Sequence, residues 1–330
     1  MRLPFATSRR SPAADTTPSR RKNRWDEHAT RDLERLAADR DRFVLSRSPH
    51  AHKVFHDDLM ARLGSLPERA ILEIGCGRGK FSVFVAKQGA VVKAVDISEK
   101  SIEAARLVAE VNDVECTFVH ASATALPFDD DRFDRVVGIA VLHHLPQPSD
   151  VANTLREAHR VLRPDGRALF VEPIENSRIF DFIQNLIPRG GGDRGDYRPS
   201  ILQRRAWAQY RRESDERRLT ERELVDAGSI FGTVAIVGHY GLLARLWRIL
   251  GRRWRTRLET LDAVLLRTIP PLRYLARDVL VEYRMNLEGE TDRVPATLAD
   301  ELHDRVAGRR KLGEVEADVE GEGLGISGRP

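Results

Sequence analysis

The stretch from Arg69 to Val171 constrains the fold most, because short apolar runs and helical stretches alternate along it. Runs rich in β-branched residues predict five buried parallel strands: Ala70–Ile74, Ala90–Val95, Glu115–His120, Phe133–Ala140 and Arg167–Val171. The stretches between them predict the helices Lys80–Gln88, Glu99–Val111 and Asp150–Leu162, the last ended by a turn at Pro164-Asp165-Gly166. Strands separated by helices imply βαβ crossovers and therefore an α/β, doubly wound sheet.

The flanks of this stretch predict further elements. Apolar residues at helical spacing before residue 64 predict N-terminal helices, and Ile230–Val237 predicts a sixth strand. A later apolar stripe at three- and four-residue spacing predicts a long amphipathic helix: Leu243, Trp247, Leu250, Trp254, Leu258, Leu261 and Leu265. Asp278–Met285 predicts a final strand, so the stripe belongs to an insertion between the last two strands.

These patterns divide the chain into six parts. We expect a disordered basic N-terminus at 1–23, a helical cap at 24–68, a core at 69–240, an amphipathic helical insertion at 241–277, the last strand at 278–286 and a disordered acidic tail at 287–330. Residues 176–187 predict another helix, and the glycine-rich residues 188–200 predict a loop.

Composition predicts a soluble, cytoplasmic chain. The 330 residues are 41% hydrophobic and 32% charged, and no apolar run approaches the 18 residues of a spanning helix. The basic start of the chain has no apolar block behind it, so it does not resemble a secretory signal. Cys76 lies in a glycine turn and Cys116 in a predicted buried strand, which argues against a disulfide and for reducing conditions.

Charge is concentrated at the two ends. Residues 1–24 contain seven Arg or Lys and one acid, Asp15. Such a basic tail has three interpretations, namely a solvated terminus, contact with nucleic acid and contact with anionic lipid, of which we favour the first.

The turn Glu73-Ile74-Gly75-Cys76-Gly77-Arg78-Gly79 follows the first predicted strand and opens a helix. Glycine permits a tight turn and close approach of a ligand to the backbone. Unpaired N–H groups at the start of the helix attract negative groups. The alternative is a tight turn without a ligand, and nucleotide-binding folds of several kinds share this spacing.

A second acid strengthens the interpretation of a ligand site. Asp96 closes the second predicted strand about twenty residues beyond the turn, where folds of this type place a carboxylate on ribose hydroxyls. The alternative is that Asp96 caps the next helix, but Ser98 is able to cap that helix itself.

Four motifs in order now show a resemblance. The runs ILEIGCGRGKFS, AVDIS, ALPFDDDRFDRVVGIAVLHHL and LREAHRVLRPDGRALFVEP resemble the class I S-adenosylmethionine-dependent methyltransferases, in particular the small-molecule enzymes similar to those of ubiquinone and menaquinone biosynthesis. The resemblance covers about residues 69–173. It implies a Rossmann-like seven-stranded sheet in the order 3-2-1-4-5-7-6, with the last strand antiparallel. It also implies S-adenosyl-L-methionine as cofactor.

The resemblance assigns cofactor residues by position. Glu73, Cys76 and the backbone of Gly75, Gly77 and Gly79 are expected to hold the methionyl part. Asp96 is expected to bind the ribose diol and Ile97 to pack on the adenine. The family usually has an aspartate after the third strand for the adenine amino group, whereas this chain has Ser122 and Ala123, which weakens that contact. Ile139 and Ala140 are expected to form the floor.

Catalytic candidates follow the fourth and fifth strands. His143 and His144 are possible bases facing the cofactor crevice, or they shape the pocket, and Glu172 is a third candidate. Trp25 and His28 begin a pattern that closes over the cofactor in similar enzymes, or they lie on a surface helix. We find no metal-binding acid cluster and no D/N-P-P-Y motif, so we expect a small or lipophilic acceptor and no specific nucleic acid.

Two questions about partners stay open in the sequence. The insertion, through residues 242–265, either forms a lid or contacts the inner face of a membrane peripherally, because it combines tryptophans and arginines with an apolar stripe. The expected function is that of a methyltransferase, which is a transferase, acting on a small or lipophilic acceptor. Two alternatives are a non-catalytic cofactor-binding partner subunit and an RNA-associated methyltransferase.

Overall fold

In the computed structural model, residues 18–45, 53–175, 199–213, 219–243 and 252–285 are described, together with residues 186, 217 and 246. Two units divide the chain, 1–287 and 288–330. The tail predicted at 287–330, the helix and loop predicted across 176–200, and residues 244–245 and 247–251 of the insertion lie wholly or almost wholly outside the described residues. The N-terminal tail predicted at 1–23 is described only at 18–23, where the chain is already helical and not disordered.

Within the first unit, seven strands form one sheet in the order β3-β2-β1-β4-β5-β7-β6. Their bounds are β1 Ala70–Ile74, β2 Val91–Asp96, β3 Cys116–His120, β4 Phe133–Ile139, β5 Leu162–Pro173, β6 Thr233–Tyr240 and β7 Asp278–Arg284. The pairs β1–β2, β1–β4, β2–β3 and β4–β5 are parallel, while β7 runs antiparallel to both β5 and β6. The predicted order and the antiparallel last strand are confirmed.

Helices cover both faces of the sheet. Their bounds are α1 Pro18–Ala38, α2 Lys53–Leu63, α3 Lys80–Ala86, α4 Glu99–Val111, α5 Pro148–Val161, α6 Arg204–Glu213, α7 Glu221–Ala227 and α8 Arg255–Thr268. Leu155 of α5 and Leu224 of α7 pack with Val136 of β4 on one face. Leu59 of α2 and Phe81 of α3 pack on the other, with the neighbouring Val137. Adjacent residues of β4 are therefore buried on opposite faces, which explains its continuous apolar run.

Side-chain hydrogen bonds cap the starts of two helices, one of them at the serine predicted above. The Ser98 Oγ accepts from the Ser101 N–H at 3.0 Å, so Ser98 caps α4. Such a cap contributes about 1 kcal/mol. The Thr220 Oγ1 accepts from the Glu223 N–H and caps α7 in the same way.

Three local predictions were wrong. The helix α5 ends at Val161, and Leu162 pairs at once with Phe133, so Pro164-Asp165-Gly166 forms an irregular part of β5 where the register shifts. The sixth strand begins at Thr233, three residues late, because Phe231 is buried in a turn against the ring of Tyr283.

The third error concerns the insertion. The helix α8 begins only at Arg255 and buries Leu258, Asp262 and Leu266, whereas Leu261 of the predicted stripe is 45% exposed. The inward face is therefore rotated away from the one predicted. Among the described residues, no helix is long and apolar enough to cross a bilayer.

Candidate functional site

The carboxyl ends of β1, β2, β4 and β5 place most of the predicted site residues along one edge of the sheet. The strand β1 pairs with β2 on one side and β4 on the other. The chain segments that follow β2 and β4 leave the sheet toward its opposite faces, and this divergence opens a crevice at the end of β1. Ligands of doubly wound sheets bind in such crevices.

The glycine turn after β1 depends on left-handed backbone at three positions. Gly75, Gly77 and Gly79 have φ values of 70°, 50° and 69°. A Cβ on Gly75 would lie 2.5 Å from a methyl group of Val141, and one on Gly79 would lie 2.9 Å from Ala105 and Phe118. A Cβ on Gly77 would meet nothing within 4 Å. Gly75 and Gly79 are therefore fixed by packing, whereas Gly77 borders open space where a ligand can approach the backbone.

Asp96 organises this turn from the end of β2. Its Oδ2 accepts from the Gly77 N–H at 2.8 Å and its Oδ1 accepts from the Ser98 N–H at 2.9 Å. Burial raises the pKa of this carboxyl group. A carboxylate has about four lone-pair positions, so Asp96 holds the turn and retains acceptor capacity for hydroxyl groups of a ligand.

Glu73 lies beneath the turn in a buried position. Its Oε2 accepts from both the N–H and the hydroxyl of Ser82 in α3. Burial raises the pKa of Glu73 from its ordinary 4.5 to about 8, although the bonds from Ser82 oppose this shift. In this structure Glu73 joins β1 to α3, and sequence reasoning missed Ser82, whose only signal is its place in the first turn of that helix.

The remaining predicted cofactor residues line the same edge. Cys76 is buried, and burial raises its pKa well above the ordinary value. Ile97 is half-buried, and its carbonyl oxygen lies 3.0 Å from the His120 Nε2. The Ser122 Oγ lies 2.8 Å from the Thr124 hydroxyl and accepts from the Thr124 N–H, so it stabilises a turn that also contains the half-buried Ala123.

The end of β4 is strained. Ala140 has a φ of 58° and follows the half-buried Ile139. Left-handed backbone at a residue with a Cβ costs of order 1 kcal/mol and is common at functional sites. The Ala140 N–H donates to the Val171 carbonyl of β5 at 2.8 Å, which helps to hold this conformation.

Glu172 fixes the loop that follows β4. Its Oε1 accepts from the N–H groups of Val141 and Leu142, each at 2.8 Å. Its Oε2 accepts from the His143 N–H at 3.3 Å and lies 2.8 Å from the His143 Nδ1. Glu172 is fully buried. Both carboxylate oxygens therefore serve the short 3-10 helix Leu142–His144.

A second contact holds this loop from the other side, and sequence reasoning missed it. The Arg217 N–H donates to the His143 carbonyl at 2.7 Å, and the Arg217 guanidinium donates to the Leu145 carbonyl and to Glu223. An isolated arginine in a polar stretch gives no sequence signal for such a role.

The aromatic residues come together above the loop. The Trp25 and His144 rings form a T-shaped contact with their centroids 4.8 Å apart, and the centroid of the His28 ring lies 5.6 Å from that of Trp25. The rings of His143 and His144 are 3.9 Å apart. The structure thus joins all four predicted residues, Trp25, His28, His143 and His144, in one cluster, with α1 over the crevice.

Two acids of α1 anchor it to the cofactor side, and sequence reasoning missed both. The Ser98 hydroxyl donates to the Asp26 carboxylate at 2.6 Å. The Arg78 guanidinium of the glycine turn donates to Asp32 at 2.5 Å. The helix α1 is therefore tied directly to the turn and to the start of α4. Among the described residues, no group of three His, Cys, Asp or Glu is arranged to hold a metal ion.

The groups that line the crevice match the chemical groups of the predicted cofactor. An open glycine backbone, a carboxylate with spare acceptor capacity at the end of β2 and a half-buried isoleucine beside it suit a nucleoside with a flexible polar arm.

Comparison with known proteins agrees with this geometry. The family described as methyltransferase domain matches residues 72–170. The ubiquinone biosynthesis O-methyltransferase of Alkalilimnicola ehrlichii is 32% identical over 162 residues, covering 46% of this chain and 62% of that protein. The protein of the same name from Pseudomonas syringae pv. tomato is 31% identical over 165 residues, covering 46% of this chain and 70% of that protein.

The [4+2]-cyclase SpnF has a similar fold. Its crystal structure matches with a TM-score of 0.50 at 16% identity, covering 82% of this chain and 97% of that one. The chain spans 62% of the length of the first sequence relative named above. The sheet order, the glycine turn and both sequence relatives all indicate the same family. The chain belongs to the class I S-adenosylmethionine-dependent methyltransferases.

Proposed function

We propose that this chain transfers a methyl group from S-adenosylmethionine to a hydroxyl oxygen of a small lipophilic acceptor. One observation carries the proposal: the glycine turn with Asp96 and the aromatic cluster around His144 meet at the same edge of the sheet. The names of the two relatives, both O-methyltransferases, support oxygen as the methylated atom and a lipophilic substrate.

The cofactor residues follow from the site. When bound, S-adenosylmethionine supplies a methyl group activated by the sulfonium charge. Asp96 would bind the ribose hydroxyls, Ile97 would pack on the adenine and the Gly77 backbone would contact the methionyl part. Ser122 and Ala123 would contact the adenine edge. Ile139 and Ala140 would form the floor.

For the acceptor, the chain must orient a hydroxyl group, exclude water and remove a proton. His144 is half-buried, and its ring makes a T-shaped contact with Trp25, which in turn lies 5.6 Å from the His28 ring. We assign proton removal to His144, because an imidazole is basic enough near neutral pH. The Trp25 ring would cover the acceptor and keep water away.

His143 and Glu172 are positioning residues in this proposal. Every carboxylate oxygen of Glu172 already accepts hydrogen bonds from the loop, and the His143 Nδ1 is held by that carboxylate. Glu172 therefore has no carboxylate oxygen left for the acceptor, and His143, at 6% exposure, is less accessible to an acceptor than the half-buried His144. Together they hold the short 3-10 helix that contains His144.

The test is transfer of radiolabelled methyl from S-adenosylmethionine to a panel of phenols that carry apolar chains. We expect label in the ether product. His144→Gln should lower kcat at least tenfold while S-adenosylhomocysteine affinity changes less than twofold. The matched control is His159→Gln, since His159 packs on Phe231 away from the crevice.

Two results would contradict the proposal. Tight cofactor binding without transfer to any acceptor would favour a non-catalytic partner subunit. Label in RNA, lost when residues 1–24 are deleted, would favour an RNA-associated enzyme.

A further inference from the structure

Exposed apolar side chains are concentrated in one region of the described chain. Six large hydrophobic residues are exposed between positions 246 and 274: Leu246, Trp254, Leu261, Val264, Ile269 and Tyr274. Single exposed apolar residues are ordinary, so the relevant question is whether some of these six share one face of a helix. The grouping here follows the sixth strand and includes the helix α8.

The helix α8 has two apolar faces with different roles. Leu258 and Leu266 are buried, and the helix contacts α2 and β6. Leu261 and Val264 are 45% and 52% exposed. Trp254 precedes the helix and lies seven residues before Leu261, which places both on one side at helical spacing. The helix therefore packs on the core and still presents an apolar stripe outward.

The charge on this region is one-sided. Residues 253–277 contain two acids, Glu259 and Asp262, and six arginines: Arg253, Arg255, Arg257, Arg267, Arg273 and Arg277. Both acids are buried. Glu259 pairs with Arg255 at 2.9 Å, and Asp262 accepts from the Leu243 N–H at 2.6 Å.

The exposed arginines lie among the exposed apolar residues. Arg253 and Arg257 are exposed, and the Arg257 guanidinium lies 5.4 Å from the centroid of the Trp254 ring. The outward surface thus combines a tryptophan, aliphatic side chains and positive charge, with its acids turned inward.

We propose that the outer surface of α8, formed by Trp254, Leu261, Val264, Arg253 and Arg257, binds an anionic lipid bilayer and lies in its plane. The aliphatic residues would enter the boundary between headgroups and acyl chains, and Trp254 would lie at headgroup level. The arginines would attract anionic headgroups. A symmetric contact between two copies through this surface would bring like-charged arginines together, which disfavours self-association as its purpose.

The test is co-sedimentation of the full chain with vesicles. We expect binding to vesicles of phosphatidylglycerol and phosphatidylcholine, weakened by salt, and little binding to pure phosphatidylcholine. The variant Leu261→Glu/Val264→Glu should lower the partition constant at least tenfold. Val225→Glu is the matched control, because Val225 is an exposed apolar residue of another helix, α7. Each of Arg253→Gln and Arg257→Gln should lower binding about fivefold.

Other results would overturn the proposal. One is unchanged vesicle binding by Leu261→Glu/Val264→Glu, with circular dichroism showing a folded chain. Another is a concentration-dependent dimer in sedimentation velocity that this variant abolishes while vesicles bind nothing, which would identify a second copy as the occupant. If the double variant fails to fold, the arginine variants carry the same test. Transfer to a soluble phenol is measured separately, so failure here leaves the proposed function untouched.

Discussion

The Glu172 carboxylate lies 2.8 Å from the His143 Nδ1 and also accepts three backbone N–H groups of the loop after β4. One buried side chain at the end of β5 therefore fixes the backbone of the short helix that contains the candidate base, His144. This relationship separates the two histidines, because His143 is held from below while His144 faces the ring of Trp25.

Replacing Glu172 should disturb the loop as a unit. In Glu172→Gln an amide NH₂ replaces one acceptor and opposes N–H donors in a buried environment. We expect the free energy of unfolding to fall by about 2–3 kcal/mol and kcat to fall with it, measured by urea unfolding and methyl transfer. Glu157→Gln is the control, since Glu157 also accepts a backbone N–H, from Leu126, but belongs to α5 and, among the described residues, makes no hydrogen bond to the loop after β4. If Glu172→Gln instead kept the stability of the wild type and lost only one limb of the pH–rate profile, Glu172 would be a catalytic base.

Substituting two glycines that have similar backbone conformations distinguishes the cost of backbone strain from the loss of a ligand contact. Gly77 and Gly64 have φ values of 50° and 74°, and a Cβ at either would meet nothing within 4 Å. Each change to alanine should cost about 1–2 kcal/mol of stability through left-handed backbone. Only Gly77→Ala should also weaken S-adenosylhomocysteine binding, at least tenfold, in calorimetry. Equal affinity in both variants would remove Gly77 from the cofactor site.

The proposed ribose contact of Asp96 is open to a double-mutant cycle. Asp96→Asn should weaken S-adenosylhomocysteine binding by more than about 1 kcal/mol, the scale of a hydrogen bond to a charged group. The 2′-deoxy analogue should lose affinity for the wild type and little more for the variant. Additive losses in calorimetry would show that Asp96 acts only through the turn that it holds. Asp130→Asn, an exposed acid paired with Arg160, controls for the change of charge.

The buried Glu73 predicts a pH-dependent stability. Its folded pKa of about 8 lies above the ordinary 4.5, so the folded state retains a proton that the unfolded state releases. The stabilisation is complete below pH 4.5 and is lost as the pH rises through about 8. One pKa unit corresponds to about 1.36 kcal/mol, so the whole difference corresponds to about 5 kcal/mol. Glu73→Gln should therefore gain stability relative to the wild type between pH 5 and pH 9, measured by urea unfolding at each pH. A constant difference across that range would contradict the prediction.

Much of the core followed from the sequence, because its signals are local. Buried parallel strands need continuous apolar runs, and Ala70–Ile74 and Phe133–Ile139 were recognisable on that ground. The glycine turn, the Ser98 cap and the acid at the end of β2 were readable for the same reason, since each depends on neighbours within a few residues. The sheet order came from the resemblance.

Tertiary contacts decided the rest. Whether Leu261 or Leu266 of α8 is buried depends on how the helix packs against β6 and α2, whereas the hydrophobic spacing alone had favoured Leu261. The bonds of Asp26 to Ser98 and of Arg217 to the His143 carbonyl join segments more than 70 residues apart. By itself, the sequence determined the alternating core and the cofactor loop, because hydrophobic periodicity and glycine backbone freedom act locally. Only the tertiary structure decided that Glu172 holds the histidine loop while His144 faces the Trp25 ring, because that depends on which distant donors meet a buried carboxylate.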